Sequence, residues 1–134
     1  MNYLPHYIYY IIEFILVVYN IVTAKINSNM EHVDLVNNKT GSIKHGWWGL
    51  AYLIACTIAW YFTGMNYVLL IAALFQRKLV FDISYNLFQP RDWYFVNKSP
   101  SSIVDKVYNY LFQFNAKLYQ AVNLIIFSVL QIWV

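Results

Sequence analysis

Between Gly46 and Gln76 the chain reads GWWGLAYLIACTIAWYFTGMNYVLLIAALFQ, with no Asp, Glu, Lys, Arg or His inside it. Lys44-His45 stands before this run and Arg77-Lys78 after it. About twenty apolar residues suffice for a helix to cross a bilayer, so the run exceeds one upright crossing. Its one turn-like interruption is Thr63-Gly64-Met65-Asn66. That tetrad predicts a hairpin, with legs over about 47–62 and from about 65 onward.

Composition points the same way. Only 11% of the 134 residues are charged and 60% are hydrophobic, where a soluble domain carries about a quarter charged residues. The apolar residues lie in long blocks. The chain is therefore expected to be a single all-α integral membrane domain over 1–134. Its four transmembrane helices are expected near 7–24, 47–62, 65–78 and 118–134, with interfacial amphipathic helix extensions.

The first block, Tyr7–Ala24, would be about 27 Å long as a helix. Pro5 suits a first helical turn, and Tyr3, Tyr7, Tyr9 and Tyr10 suit a membrane interface. Residues 1–6 lack the basic start of a cleavable signal peptide. Lys25–His45 is polar and rich in Asn, and reads as a surface loop with a short amphipathic piece near Met30–Val36. The helix that begins at Met65 is expected to continue past Arg77-Lys78, whose heads would snorkel to the headgroups, and to stop at Pro90. Ser102 and Asp105 have capping-box spacing and predict one last helix, amphipathic over 103–117 and apolar from Leu118 to Val134.

All nine Lys and Arg residues fall in 25–45 and 77–117. With four crossings these segments share one side, which is the positive-inside pattern and puts both termini on the non-cytoplasmic side. The expected location is a bacterial inner membrane or a phage internal membrane. A three-crossing chain would split the basic residues between the two sides.

Glu13 is the sharpest candidate for chemistry, since an ionisable group within a span is costly and points to an ion pathway. Its competing reading is helix-packing glue. Asn20 lies two turns further along the same face, where Gln120 and Asn123 from the last span can meet it; such amides commonly bond helix to helix. His45, Arg77, Lys78, Asp82 and Asn86 form a candidate polar cluster at the cytoplasmic interface, with Lys78, Asp82 and Asn86 spaced four apart for local pairing. In a lipid-modifying enzyme Arg77 would hold a phosphate and His45 act as base. Ala51, Ala55, Ala59 and Thr63 fall every fourth residue and form a small-residue packing stripe.

Cys56 has no partner for a disulfide. No metal-ligand spacing, phosphate-binding loop or nucleophile motif is present, so no catalytic residue, metal or cofactor is assigned. The sequons at Asn38 and Asn97 fall on the cytoplasmic side and are discounted. The aromatic and basic residues near Trp93 are assigned to anionic lipid headgroups and not to nucleic acid.

The segments KHGWWGLAYL (44–53), RKLVFDISYNLF (77–88) and WYFVNKSPSSIVDKVYNYLF (93–112) resemble small multi-span membrane proteins of unknown function from Bacteroidota and their phages. The resemblance implies a membrane location, a virion or mobile-element setting, and no active site. The expected function is that of a non-enzymatic structural component, a homo-oligomer or part of a larger membrane or capsid assembly. The alternatives are a pore, holin-like or ion-pathway protein using Glu13, and a lipid-modifying enzyme.

Overall fold

The computed structural model describes residues 5–36, 45–64, 66–96 and 103–133, as backbone alone at 31–36 and 45–48. These residues form five helices and no strand: α1 (His6–Val36), α2 (His45–Phe62), α3 (Tyr67–Phe88), α4 (Ile103–Phe112) and α5 (Ala116–Leu130).

The expected hairpin is present. Thr63 Oγ1 donates to the Ala59 carbonyl at 2.7 Å, using the helix's last turn. Gly64 then takes a φ of 71°, a left-handed turn that glycine adopts without a steric penalty. Asn66 caps α3 by accepting from the amides of Val68 and Leu69. Beyond the turn, Tyr52 of α2 reaches Ala73 and Gln76 of α3, so the two helices run antiparallel. α3 continues through Arg77-Lys78 and ends at Phe88, just before Pro90.

Contacts between α1 and α3 rise together in residue number. Tyr9 packs with Leu69, Leu16 with Ala73, Lys25 lies over Phe88, and Ser28 meets Gln89. The two helices are therefore parallel. α5 runs the other way, with Gln120 at Lys78 and Gln131 at Glu13. α3 is the central helix on which α1, α2 and α5 pack.

Two expectations are corrected. The loop assigned from Lys25 is helical as far as Val36. Its turn-forming residues are spent inside the helix: Asn27 donates to the Thr23 carbonyl at 2.7 Å, and Ser28 accepts from Gln89 at 3.0 Å. The turn residues from Asn37 to Ser42 lie outside the described residues. The single last helix is instead a hairpin of α4 and α5. Gln113 and Phe114 adopt φ of 51° and 61°, and Asn115 caps α5 by accepting from the Leu118 amide. Two left-handed non-glycine residues cost roughly 1–2 kcal/mol each. The fold-back offsets this by bringing Tyr108, Phe112 and Tyr119 together with ring centroids 5.4–6.0 Å apart. Ser102 of the expected capping box lies outside the described residues.

Polarity is inverted relative to a water-soluble bundle. Among the described residues, buried polar or charged side chains outnumber buried apolar ones, and Asn20, Asn27, Gln76 and Asn123 are at most 1% exposed. Phe14 is 67% exposed, Phe62 72% and Ile132 78%. By length and composition, one described helix is fit to cross a membrane, over His6–Met30. Gly49–Phe62 and Ala116–Leu130 are apolar but shorter. α3 is about 33 Å long but carries Arg77, Lys78 and Asp82.

Candidate functional site

Beside buried Ala24 and Ser28, one inward seam of α1 is formed by Tyr9, Glu13, Leu16, Asn20, Thr23 and Asn27. They alternate in steps of three and four, the seam along which two helices stay in register. Glu13, Asn20 and Asn27 repeat every seven residues along it. That heptad of polar groups is visible in the chain once Asn27 is counted as helical. It supplies one wall of a polar core that runs the length of the bundle.

At the end where α1 and α3 begin, Gln131, the C-cap of α5, donates to the Glu13 carboxylate at 2.9 Å. Gln76 donates to the Glu13 carbonyl at 3.1 Å. Glu13 is thus enclosed in its own bundle and tied to two neighbouring helices.

Further along, consecutive residues of α3 send cations in opposite directions, because each helical residue is rotated by about 100° from the last. Arg77 turns toward α1, where its Nη1 donates to Asn20 Oδ1 at 3.0 Å and to Thr23 Oγ1 at 3.3 Å. Its guanidinium lies 4.0 Å from the centre of the Phe81 ring and 5.3 Å from that of Tyr52. Lys78 turns toward α4 and α5. It pairs with Asp82 at 2.5 Å and with Asp105, while the Tyr108 and Tyr119 rings face it at 5.0 and 5.3 Å. Gln120 donates to the Lys78 carbonyl and accepts from Asn123, which in turn accepts from the Tyr108 hydroxyl at 2.8 Å. Burial holds the Tyr108 phenol above its ordinary pKa, although the Lys78 ammonium pulls it the other way.

The amides singled out in the sequence therefore do meet other helices, but in two groups. Asn20 joins Arg77, whereas Gln120 and Asn123 join Lys78. The interfacial cluster is not one cluster. Arg77 and Lys78 turn into the bundle, and Lys78 is 8% exposed. Asp82 takes its expected place four residues from Lys78. Asn86 instead holds the following loop through the Trp93 and Phe95 carbonyls at 3.1 Å. The side chain of His45 lies outside the described residues.

The small-residue stripe runs along the edge of the packing face. Among the described side chains of α2 Tyr52 and Cys56 are buried, while Ala51 is exposed and Ala55 and Ala59 are half-buried; Thr63, the last of the stripe, is buried just past the helix end. Every position on this face of the chain is apolar or small, so hydropathy carries no contrast to mark the inward side. Tyr52 decides it by donating to the Ala73 carbonyl at 2.6 Å.

Outside the core, Trp93, Tyr94 and Phe95 are exposed beside Arg91 and Lys117, which lie over the Phe95 and Tyr94 rings. The Asp92 carboxylate raises the Tyr94 phenol. Among the described residues no group of three or more His, Cys, Asp or Glu converges to hold a metal ion. No protein-family model, no curated protein and no solved structure matches this chain.

Proposed function

We propose that this chain is an integral membrane protein crossing the bilayer on α1, α2, α3 and α5, with both ends on the non-cytoplasmic side. In this reading it serves as a non-enzymatic structural component that assembles with further copies or a larger membrane-bearing particle. The observation that carries the membrane reading is the inverted polarity. In water, exposed Phe14, Phe62, Ile132 and Trp133 would drive aggregation. In lipid the same surface is solvated, and buried Asn, Gln, Thr and paired charges hold helix to helix. The membrane stretch of α3 then extends beyond Lys78, because Lys25 of α1 lies level with Phe88. Arg77 and Lys78 sit inside the slab and are turned away from lipid.

The structural role rests on how the core polar groups are used. Glu13 and the amides are engaged with neighbouring helices and do not face outward, where copies would meet to line a shared pore. A single observation favours the second reading, an ion pathway: buried Gln76, bonded to the Glu13 carbonyl, stands next in α3 to Arg77, which is bonded to Asn20, so polar groups recur along the α1–α3 contact.

In a Cys56→Ser background, Lys39→Cys and Lys98→Cys should react with an impermeant maleimide from the same side of the membrane. Labelling from opposite sides would end the four-crossing arrangement. Mild crosslinking in native membranes should trap multimers, and a strictly monomeric chain would sink the assembly role. Proton or cation flux in proteoliposomes that disappears with Glu13→Gln would replace that role with the pathway.

A further inference from the structure

We propose that the α1–α2–α3 side of the core binds a phosphate oxyanion at Arg77, taken either from a lipid phosphodiester or from inorganic phosphate. Arg77 is a cation turned into the bundle, and among the described residues the ion pairs of α3 belong to Lys78. Both hydrogen bonds of Arg77 leave from Nη1 and end on neutral oxygens. Its Nε and Nη2 donate to no described residue, and the Phe81 and Tyr52 rings fix the plane of the guanidinium. The Asp82 carboxylate lies within electrostatic reach of Arg77 but is paired with Lys78, so the part-buried guanidinium has no hydrogen-bonded counter-anion of its own, and such a charge gains from one.

The second observation is independent of that charge. The Nδ2 of Asn20, a residue with no exposed surface, makes no well-formed hydrogen bond and has the Tyr52 hydroxyl as a neighbouring acceptor, and the buried Tyr19 hydroxyl has no partner. Asn20 presents its oxygen to Arg77, so its amide nitrogen lies beside the same guanidinium. The Tyr19 ring packs on Tyr52 at 5.7 Å, and both hydroxyls lie within the electrostatic reach of Arg77. Donors with capacity to spare thus neighbour the Arg77 guanidinium: its own Nε and Nη2, the Tyr19 hydroxyl, and the Nδ2 of Asn20, which an incoming oxyanion would draw from Tyr52. A planar fork matches an O–P–O edge, and the further donors fit the remaining phosphate oxygens. Arg77 and Tyr19 keep partial exposure, so the site is reachable from the flank of the bundle. Arg77 leans over Phe81, toward the end of the bundle marked by Lys25 and Phe88.

The lipid source rests on the membrane reading above; the inorganic source does not. The test uses the full chain in detergent, with native mass spectrometry against phosphatidylglycerol and unfolding midpoints in a sodium phosphate titration against sodium chloride. Wild type should retain one phosphatidylglycerol, or rise in midpoint with phosphate and not with chloride; the arm that responds identifies the source. Asn20→Asp sets a carboxylate against Arg77 and should weaken binding at least tenfold, and Arg77→Gln should do the same. Lys106→Gln, on exposed α4 surface, should leave binding unchanged. If Asn20→Asp does not fold, Tyr19→Phe decides, with at least a threefold loss expected. Binding in neither arm, or equal binding by wild type and these site variants, overturns the proposal. A chain that stays dissolved without detergent overturns the membrane reading, and the phosphate arm still decides this one.

Discussion

Arg77 and Lys78 are neighbours in sequence and opposites in environment. Lys78 carries a compact charge and is met by two carboxylates, one from its own helix and one from α4. Arg77 carries a flat, delocalised charge and is met by two rings and two neutral oxygens. The contrast follows from the chemistry of the heads, since a guanidinium stacks and forks where an ammonium acts as a point charge. It also separates two jobs. The Lys78 side is closed on itself and joins α3 to the α4–α5 hairpin. The Arg77 side leaves donors unspent.

If the Lys78 side is the structural clasp, Lys78→Met should be the most damaging of the following changes. It strands Asp82 and Asp105 beside one another, and reversible unfolding in mixed micelles should show a loss of about 3 kcal/mol, the low end for a broken buried pair, because Asp105 is 40% exposed. Arg77→Met leaves no carboxylate behind, and in the same assay should cost only about 1 kcal/mol, the scale of a neutral hydrogen-bond loss. Equal losses from the two variants would erase the distinction between the sides. Tyr52→Phe removes the bond that orients α2 and should cost roughly 0.6–1 kcal/mol, the scale of one hydrogen bond between packed helices. Glu13→Gln keeps an acceptor for Gln131 and should shift stability by less than about 0.5 kcal/mol. A larger shift would mean that the charge of Glu13 itself matters.

Much of the element order is legible in the chain because it depends on local chemistry. Gly64 and Asn66 break and restart the helix wherever the tetrad sits, and Pro90 follows the end of α3. The fold-back at Gln113-Phe114 is not legible, since neither residue favours a left-handed backbone. Only Asn115 marks it, as a cap that an apparently continuous apolar run conceals. The helical stretch from Lys25 was hidden for the opposite reason. Asn27 and Ser28 look like turn residues until Thr23 and Gln89 supply their partners.

The candidate site divides in the same way. Glu13, Asn20, Gln120, Asn123, Arg77 and Asp82 stand out as polar groups near or within apolar blocks, and residue type alone selects them. Their grouping depends on which face each helix turns inward and on which helices lie parallel. A basic pair at the end of an apolar run reads as surface, yet both residues point into the core.

Apolar length, breaks and the grouping of the basic residues into 25–45 and 77–117 are properties of the chain read along its length, and local backbone and side-chain chemistry is enough to specify them. Which cation receives the carboxylates, and which is left with open donors, belongs to the packed bundle. α3 displays Arg77 and Lys78 about 100° apart, so the helix that docks on each side chooses the partner, and no pattern along α3 alone carries that choice.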